Sequence, residues 1–283
     1  MSDDGAFAIV VIALVGSPFS STYAATGGDP LAHAAINVAI YGPGAAAWTL
    51  RERPIRPSDR LEDGITLGAS SMRWEGDALV VRIEERTTPF GRPIRGRVTV
   101  HPEGLTDQIL ALDPGGAHLW WPVAPLARIE VDLDAPRLRF RGHGYHDANA
   151  GDAPLGSAFT SWCWSRARAR HAALLTYDVR LRDGAEHRSV LRVGASGALE
   201  ALDPIAARPL ARTRWGLTRT IPSEGRAPEI VRSLEDGPFY ARALVETELA
   251  GERVAAVHEV LSPARLGQGW VRFLSRFRTG TAA

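Results

Sequence analysis

The sequence predicts an all-β protein made of two antiparallel β-barrel or β-sandwich domains. Short apolar runs, alternating or rich in β-branched residues, recur along the chain, and turn-forming Gly, Pro, Asp and Asn residues separate them. Helical periodicity is scarce, and no glycine-rich phosphate loop follows a strand-like run. Together these observations favour hairpins over alternating strand and helix units.

The predicted strands follow one another with turn signals between them. The runs are Ala6 to Gly16, Ala34 to Tyr41, Ala78 to Glu85, Gly96 to His101, Ala127 to Leu133, Ala172 to Leu181, His187 to Val193 and Arg253 to Leu261. The turn signals include Gly42–Pro43–Gly44 and Asp113–Pro114–Gly115–Gly116. A polar segment, Gly142 to Gly156, interrupts this pattern. We therefore predict a division near residue 140, into an N-terminal β domain (1–140) and a C-terminal β domain (141–283).

The first run has three interpretations. Its β-branched residues, from Ile9 to Ile12, favour a fully buried strand. A membrane-spanning helix needs about 20 apolar residues, roughly twice what this run provides. A signal peptide carries positive charge before its apolar region, whereas Asp3 and Asp4 precede this one. The buried strand is the prediction that we carry forward.

Charge and composition exclude several classes of function. The 33 basic side chains, all Arg, nearly balance the 32 acidic ones, and no basic block indicates a nucleic-acid partner. The single cysteine, Cys163, excludes an internal disulfide and a cysteine-based metal cluster. The histidines show no HxH or HExxH spacing, and no GxSxG motif provides a serine nucleophile. We expect neither a metal nor a cofactor.

Two segments concentrate the residues suited to catalysis, His118 to Pro122 and Tyr145 to Gly151. In an extended chain alternate side chains share a face, so His118 would lie beside Trp120, and Tyr145 beside Asp147 and Asn149. An Asp in apolar surroundings can serve as a proton donor, and aromatic faces stabilise a cation. A neutral His can take a proton from water. These groups suit the addition of water to a carbon–carbon double bond.

Other interpretations remain open for the same residues. Asp147 and Asn149 are common turn formers in a Gly-rich segment, and Trp120 is a common core residue. Trp162 and Trp164 either line an apolar cavity or pack in the core. The C-terminal run from Trp270 to Arg278 fits an edge strand better than a membrane-binding surface.

Several stretches of the sequence resemble those of the carotenoid 1,2-hydratases, also called hydroxyneurosporene synthases, and, in fold, the wider two-domain lipocalin-like proteins. The stretches are VGSPFSSTYA from Val15, LAHAAINVAIYG from Leu31, HLWWPVAP from His118, YHDANAGDAPL from Tyr145, SWCWSRA from Ser161 and VRFLSRFR from Val271. The resemblance implies two lipocalin-like domains. It also implies cofactor-free hydration of the terminal C1–C2 double bond of neurosporene, lycopene or a similar acyclic carotene.

The resemblance also assigns roles to the residues. Asp147 is the implied proton donor, and Tyr145 with Trp120 would stabilise the carbocation. His118 would orient or deprotonate the water. The remaining candidates, which would line the substrate cavity, are Trp162, Trp164 and Asn149. An alternative from a different class is a non-catalytic carrier of a long apolar ligand.

The implied substrate also implies a place in the cell. A carotene does not dissolve in water, so we expect peripheral association with the cytoplasmic side of the inner or intracytoplasmic membrane of a photosynthetic bacterium, near other carotenoid-pathway enzymes. Members of the family carry an upstream strand before the turn at Ser2 to Gly5, whereas this chain begins at Met1. We therefore expect a first strand to be missing from the N-terminal domain, which would leave a sheet edge unpaired.

Overall fold

The structure is a computed structural model that describes residues 1–20, 23, 27–276 and 280–281. Contacts within the chain group its residues into two compact units, which we describe separately. Unit 1 comprises residues 1–102, 127–145 and 272–283, and unit 2 comprises residues 103–126 and 146–271. The change of unit after Tyr145 lies near the division predicted at about residue 140, and three further changes were not predicted.

Over the described residues the chain forms mainly β-strands, joined by tight turns and by two short 3-10 helices (Pro30–His33 and Pro57–Asp59). The first eleven strands are β1 (Ala8–Leu14), β2 (Ala34–Tyr41), β3 (Ala47–Arg53), β4 (Arg60–Leu61), β5 (Gly64–Leu67), β6 (Ser70–Glu75), β7 (Ala78–Arg86), β8 (Pro93–Pro102), β9 (Leu110–Ala111), β10 (His118–Ala135) and β11 (Leu138–Gly151).

The remaining strands are β12 (Phe159–Arg168), β13 (Ala172–Leu181), β14 (Glu186–Gly194), β15 (Leu199–Ala201), β16 (Ala207–Pro209), β17 (Thr220–Pro222), β18 (Glu229–Asp236), β19 (Tyr240–Leu249), β20 (Glu252–Leu261) and β21 (Gly280–Thr281). Three short helices complete the description: α1 (Leu155–Ala158), α2 (Pro263–Leu266) and α3 (Gly269–Arg276).

Unit 1 is built on an aliphatic core. It contains a sheet with the strand order β1-β2-β3-β21 and most of a second sheet with the order β11-β10-β8-β7-β6-β5-β4. Ile36, Val81, Ile94 and Val131 are among the residues of this core, and each is at most 5% exposed. Burial of β-branched side chains on both sheets supplies its stability.

Unit 2 is built on one antiparallel sheet with the order β15-β14-β13-β12-β20-β19-β18. The separate hairpin β16-β17 also belongs to this unit, and Ile221 of β17 is fully buried in its core. The N-terminal part of β10 and the C-terminal part of β11 are the other segments of unit 2 that matter for the candidate site.

The all-β prediction is confirmed, because the chain is 57% strand and 8% helix, and its sheets are antiparallel apart from the short parallel pair of β21 with β3. The prediction that the first apolar run is fully buried is wrong. Its strand β1 stands at the edge of its sheet and pairs with β2 alone among the described strands, so most of its side chains are only half-buried.

The prediction of an edge strand near the C-terminus is also wrong for the residues that the structure describes. Residues Gly269 to Arg276 form helix α3, and residues 277–279 lie outside the described part of the chain. The apolar residues Trp270, Phe273 and Leu274 follow a spacing of three and four, which places them on one side of a helix. None of the described helices is long and apolar enough to cross a membrane.

Candidate active site

His118, the first residue of β10, is held in place by a tight turn that precedes it. Asp113 begins this turn, and its carboxylate accepts hydrogen bonds from the backbone N–H groups of Gly115, Ala117 and His118. Burial acts to raise the pKa of the Asp113 carboxyl. The hydrogen bonds from His118 and Ala117 outweigh burial and hold that pKa below its usual range.

Each nitrogen of the His118 ring faces an oxygen atom of the protein. Its Nδ1 lies 3.2 Å from Asp113 Oδ1, and its Nε2 lies 3.1 Å from the carbonyl oxygen of Ala153. The side chain is 2% exposed. A carbonyl oxygen cannot donate, so the Nε2–H group is the donor in the contact with Ala153. Both ring nitrogens therefore face oxygen atoms of the protein.

Asp147 lies in β11, where it is half-buried and accepts a hydrogen bond from Trp120. The distance from Trp120 Nε1 to Asp147 Oδ2 is 3.0 Å. Trp120 is 1% exposed and lies two residues after His118 in β10. The structure thus brings together Asp147 and Trp120, two residues that the sequence predicted to share a site. Asp147 is a strand residue here, which rules out the turn interpretation.

The Trp120 indole belongs to a chain of aromatic contacts. Its ring packs edge-to-face on Tyr177, with centroids 5.1 Å apart. Tyr177 contacts Trp162 at 6.3 Å, and Trp162 contacts Phe159 at 5.8 Å. Phe159 completes the chain by an edge-to-face contact with the His118 ring at 4.6 Å. We call these five residues the aromatic cluster. Through Trp120, which donates to Asp147, the cluster adjoins the carboxyl group.

Tyr177 has its hydroxyl inside this cluster. Burial raises the pKa of the Tyr177 hydroxyl far above its usual range, and the negative charges of Asp147 and Glu259 raise it further. The phenol therefore stays neutral and can donate or accept a hydrogen bond.

The other predicted residues differ in their placement. Trp164 is half-buried in β12 directly opposite Tyr177 of β13. Asn149 is exposed to solvent in β11, which separates it from the buried cluster. Tyr145 is half-buried in β11, two residues before Asp147, and is the last residue of that strand assigned to unit 1. Its part in catalysis stays a prediction.

His146, between Tyr145 and Asp147, has an imidazole ring whose pKa is strongly shifted. Burial lowers the pKa of His146 to about 4, so this imidazole is neutral at neutral pH. Among the residues that the structure describes, no group of three or more His, Cys, Asp or Glu side chains is placed to hold a metal ion.

Sequence reasoning missed three members of this arrangement. The sequence identified Asp113 only as part of a turn. Its position five residues before His118 nevertheless fits a carboxylate that accepts a hydrogen bond from the backbone at the start of the next strand. Phe159 and Tyr177 lie in strand-like patterns that look like ordinary core. Their contacts depend on which strands are neighbours, which short sequence motifs do not reveal.

Comparisons with known proteins agree on a family. The sequence model described as carotenoid hydratase CrtC matches residues 11–281. The acyclic carotenoid 1,2-hydratase of Thiocapsa roseopersicina is 41% identical over 98% of this chain and 70% of that protein. The enzyme of the same name from Rubrivivax gelatinosus is 41% identical over 92% of this chain and 66% of that protein. The enzyme of the same name from Cereibacter sphaeroides is 39% identical over 90% of this chain and 92% of that protein.

Two solved structures share the fold at low sequence identity. A putative AttH from Nitrosomonas europaea superposes with a TM-score of 0.60 at 14% identity, over 93% of this chain and 89% of that one. The crystal structure of CghA superposes with a TM-score of 0.57, also at 14% identity, over 93% and 86%. These likenesses show that the chain has their lipocalin-like fold.

Proposed function

The chain belongs to the carotenoid hydratase CrtC family, and on that basis we propose that it is a hydro-lyase adding water across the terminal C1–C2 double bond of an acyclic carotene such as neurosporene or lycopene. The named relatives cover at least nine-tenths of this chain, although the first two extend well beyond it. Their names support a hydratase in carotenoid biosynthesis and not a carrier of an apolar ligand.

The observation that carries the mechanism is the hydrogen bond from Trp120 to Asp147 inside the aromatic cluster. Trp120 Nε1 donates to Oδ2 of Asp147 and so helps to orient the carboxyl group that we propose as the proton donor. Protonation of C2 by this group leaves a tertiary cation at C1. Water then bonds to C1, and the product is a tertiary alcohol without any change of oxidation state that would need a cofactor.

The rings near Asp147 are suited to stabilise the cation. Trp120 donates to the carboxyl group from its ring edge, Tyr177 packs edge-to-face on Trp120, and Tyr145 is the further candidate that the family resemblance assigns. A cation over an aromatic face gains roughly 0.5 to 2 kcal/mol, and more where water is excluded. Several faces acting together lower the barrier to a cation that water would otherwise have to solvate.

For His118 we propose a positioning role in place of the action on water that the family resemblance implies. Because both of its ring nitrogens face protein oxygens, we assign it to positioning. It connects the Asp113 turn to the segment at Ala153, and it packs against Phe159. It thereby fixes the start of β10, from which Trp120 reaches Asp147.

We also propose that the protein associates peripherally with the inner or intracytoplasmic membrane, on its cytoplasmic side. The substrate is too apolar to be drawn from water. Such a site would have to receive it from a bilayer and return a product with a single hydroxyl group. Other carotenoid-pathway enzymes acting on the same membrane-dissolved pigments would be its neighbours.

The test is Asp147→Asn, which keeps the shape of the side chain but removes the proton donor. Expressed in a bacterium that accumulates lycopene or neurosporene, the unaltered chain should yield a pigment heavier by one water, measured by liquid chromatography and mass spectrometry. We expect the variant to lose about 10²- to 10⁴-fold in rate. Asp152→Asn is the matched control, since Asp152 is exposed five residues further along. Unimpaired hydration by folded Asp147→Asn would refute the assignment.

A further inference from the structure

The sheet of unit 2 carries a row of side chains that crosses five strands on one face. Tyr177 of β13 lies opposite Trp164 of β12, and Trp164 lies opposite Glu259 of β20. Glu259 lies opposite Arg242 of β19, which in turn lies opposite Glu235 of β18. Directly opposed residues of neighbouring strands project to the same face of a sheet. We call these five residues the cross-strand row.

The row begins at the aromatic cluster. Tyr177 is a member of both sets, and its ring contacts Trp120, which donates to Asp147. Glu259 is two strands away from Tyr177, across Trp164. The charges of Asp147 and Glu259 both act on the Tyr177 hydroxyl, after burial as the larger influence on its pKa. Besides the proposed acid, Glu259 is thus a second carboxyl group on the sheet face that Tyr177 occupies.

Arg242 orients the carboxyl group of Glu259. Arg242 Nε lies 2.7 Å from Glu259 Oε1, and its Nη1 lies 3.8 Å from Oε2 of Glu235. The guanidinium also stands 5.3 Å from the centre of the Tyr240 ring. An arginine remains charged in proteins, so its hydrogen bond to Glu259 is charge-assisted.

The two members of this ion pair differ in accessibility. The Arg242 side chain is 1% exposed, whereas that of Glu259 is 24% exposed. The hydrogen bond to Arg242 uses Oε1, which leaves Oε2 of Glu259 to meet a water molecule. A buried cation thus holds one oxygen of the Glu259 carboxylate, and the other oxygen is accessible.

The reaction needs an acceptor of this kind. Water that bonds to the C1 cation must lose a proton, and the ring nitrogens of His118 face Asp113 and Ala153 instead of open space. A carboxylate with one fixed and one accessible oxygen can take that proton.

We propose that Glu259, held by Arg242, is the general base that takes the proton from the attacking water. The proposal rests on the function proposed above. The π electrons of the C1–C2 bond form the new C2–H bond with the proton of Asp147, and a lone pair of water forms the C1–O bond. One water proton passes to Glu259 Oε2. Exchange with solvent then returns a proton to Asp147 and removes one from Glu259.

The proposal predicts different behaviour for the two carboxyl groups in heavy water. With lycopene dispersed in detergent, purified Glu259→Gln should form the alcohol about 10²- to 10⁴-fold more slowly than the unaltered chain. Gln keeps an oxygen for Arg242, so the fold is preserved. Asp147 still protonates C2 in this variant, and the uncaptured cation reverts, so recovered lycopene should contain deuterium. Asp147→Asn should show neither alcohol nor deuterium.

A second variant tests the base directly. Glu259→Ala removes the carboxylate, and added formate should restore part of the rate if a base is what is missing. Glu246→Gln is the matched control, because Glu246 lies on β19 in a surface pair with Arg253. It should hydrate at the normal rate.

The outcomes separate the two proposals. Hydration at the normal rate by folded Glu259→Gln, or no effect of formate on Glu259→Ala, overturns the role of Glu259. Absence of alcohol with the unaltered chain overturns the proposed function itself.

Discussion

Two rows of side chains on opposite faces of the unit 2 sheet differ in their charge. One face carries the cross-strand row, with an ion pair at its centre. The other face carries Thr176, Ser165 and His258, which directly precede or follow Tyr177, Trp164 and Glu259 in the sequence. Ser165 lies opposite both Thr176 and His258, so these three residues also form a row.

The second row is buried and neutral. Ser165 Oγ and Thr176 Oγ1 are 2.6 Å apart, and His258 Nε2 lies 2.9 Å from the carbonyl oxygen of Thr220. Burial lowers the pKa of His258 to about 4, and the charge of Arg219 contributes to the same shift. The alternation of a β-strand thus places the cross-strand row, with its buried ion pair, and this row of neutral polar groups on opposite faces of the same strands.

Removing Arg242, the cation of the cross-strand row, should have the largest effect on stability. Arg242→Met leaves the carboxylates of Glu259 and Glu235 without their buried partner, and we expect a loss of about 3 to 5 kcal/mol in the free energy of unfolding. Arg253→Met is the matched control. Its partner Glu246 is on the same two strands, but both side chains are well exposed, so about 0 to 1 kcal/mol is expected. Denaturant titration measures both, and equal losses would contradict the distinction between the two pairs.

His258 of the neutral row should affect how the free energy of unfolding depends on pH. The pKa of His258 is about 4 in the folded chain against 6.5 as its ordinary value. The unfolded chain therefore binds more protons in that window, and stability falls as pH drops from 6.5 towards 4, by at most about 3 kcal/mol. The charge of Glu259 opposes the shift and limits the effect.

His258→Asn should flatten this part of the stability curve, whereas His187→Asn should leave it unchanged because His187 is exposed. Unfolding by denaturant at several pH values provides the measurement. A curve for His258→Asn as steep as that of the unaltered chain would mean that His258 is not held neutral by burial.

The smallest effect is expected from the hydroxyl pair. Ser165→Ala removes one partner of a buried hydrogen bond, and we expect a loss of about 1 to 3 kcal/mol in stability. The hydration rate of the folded variant should not change, because Ser165 projects away from the cross-strand row. A fall in rate without a fall in stability would show that the two faces are coupled.

The sequence predicted the all-β fold, and Trp120 with Asp147 as members of one site, because alternation and turn chemistry are local properties. It did not predict that α3 is a helix or that β1 is only half-buried. The second error is instructive. An apolar run has the same composition whether its strand has neighbours on both sides or one, and only the sheet order decides its burial.

The sequence by itself determined which residues share a face within each strand, since successive side chains point to opposite sides. Only the tertiary structure decided which strands are neighbours and in which register. Tyr177, Trp164, Glu259, Arg242 and Glu235 come from five separate strands, and a shift of one residue in any pairing would move a member to the other face. The same holds for His118, whose expected partner was water and whose actual partners are Asp113 and Ala153. Register and turn closure are set by packing over the whole unit, which no single stretch of sequence contains.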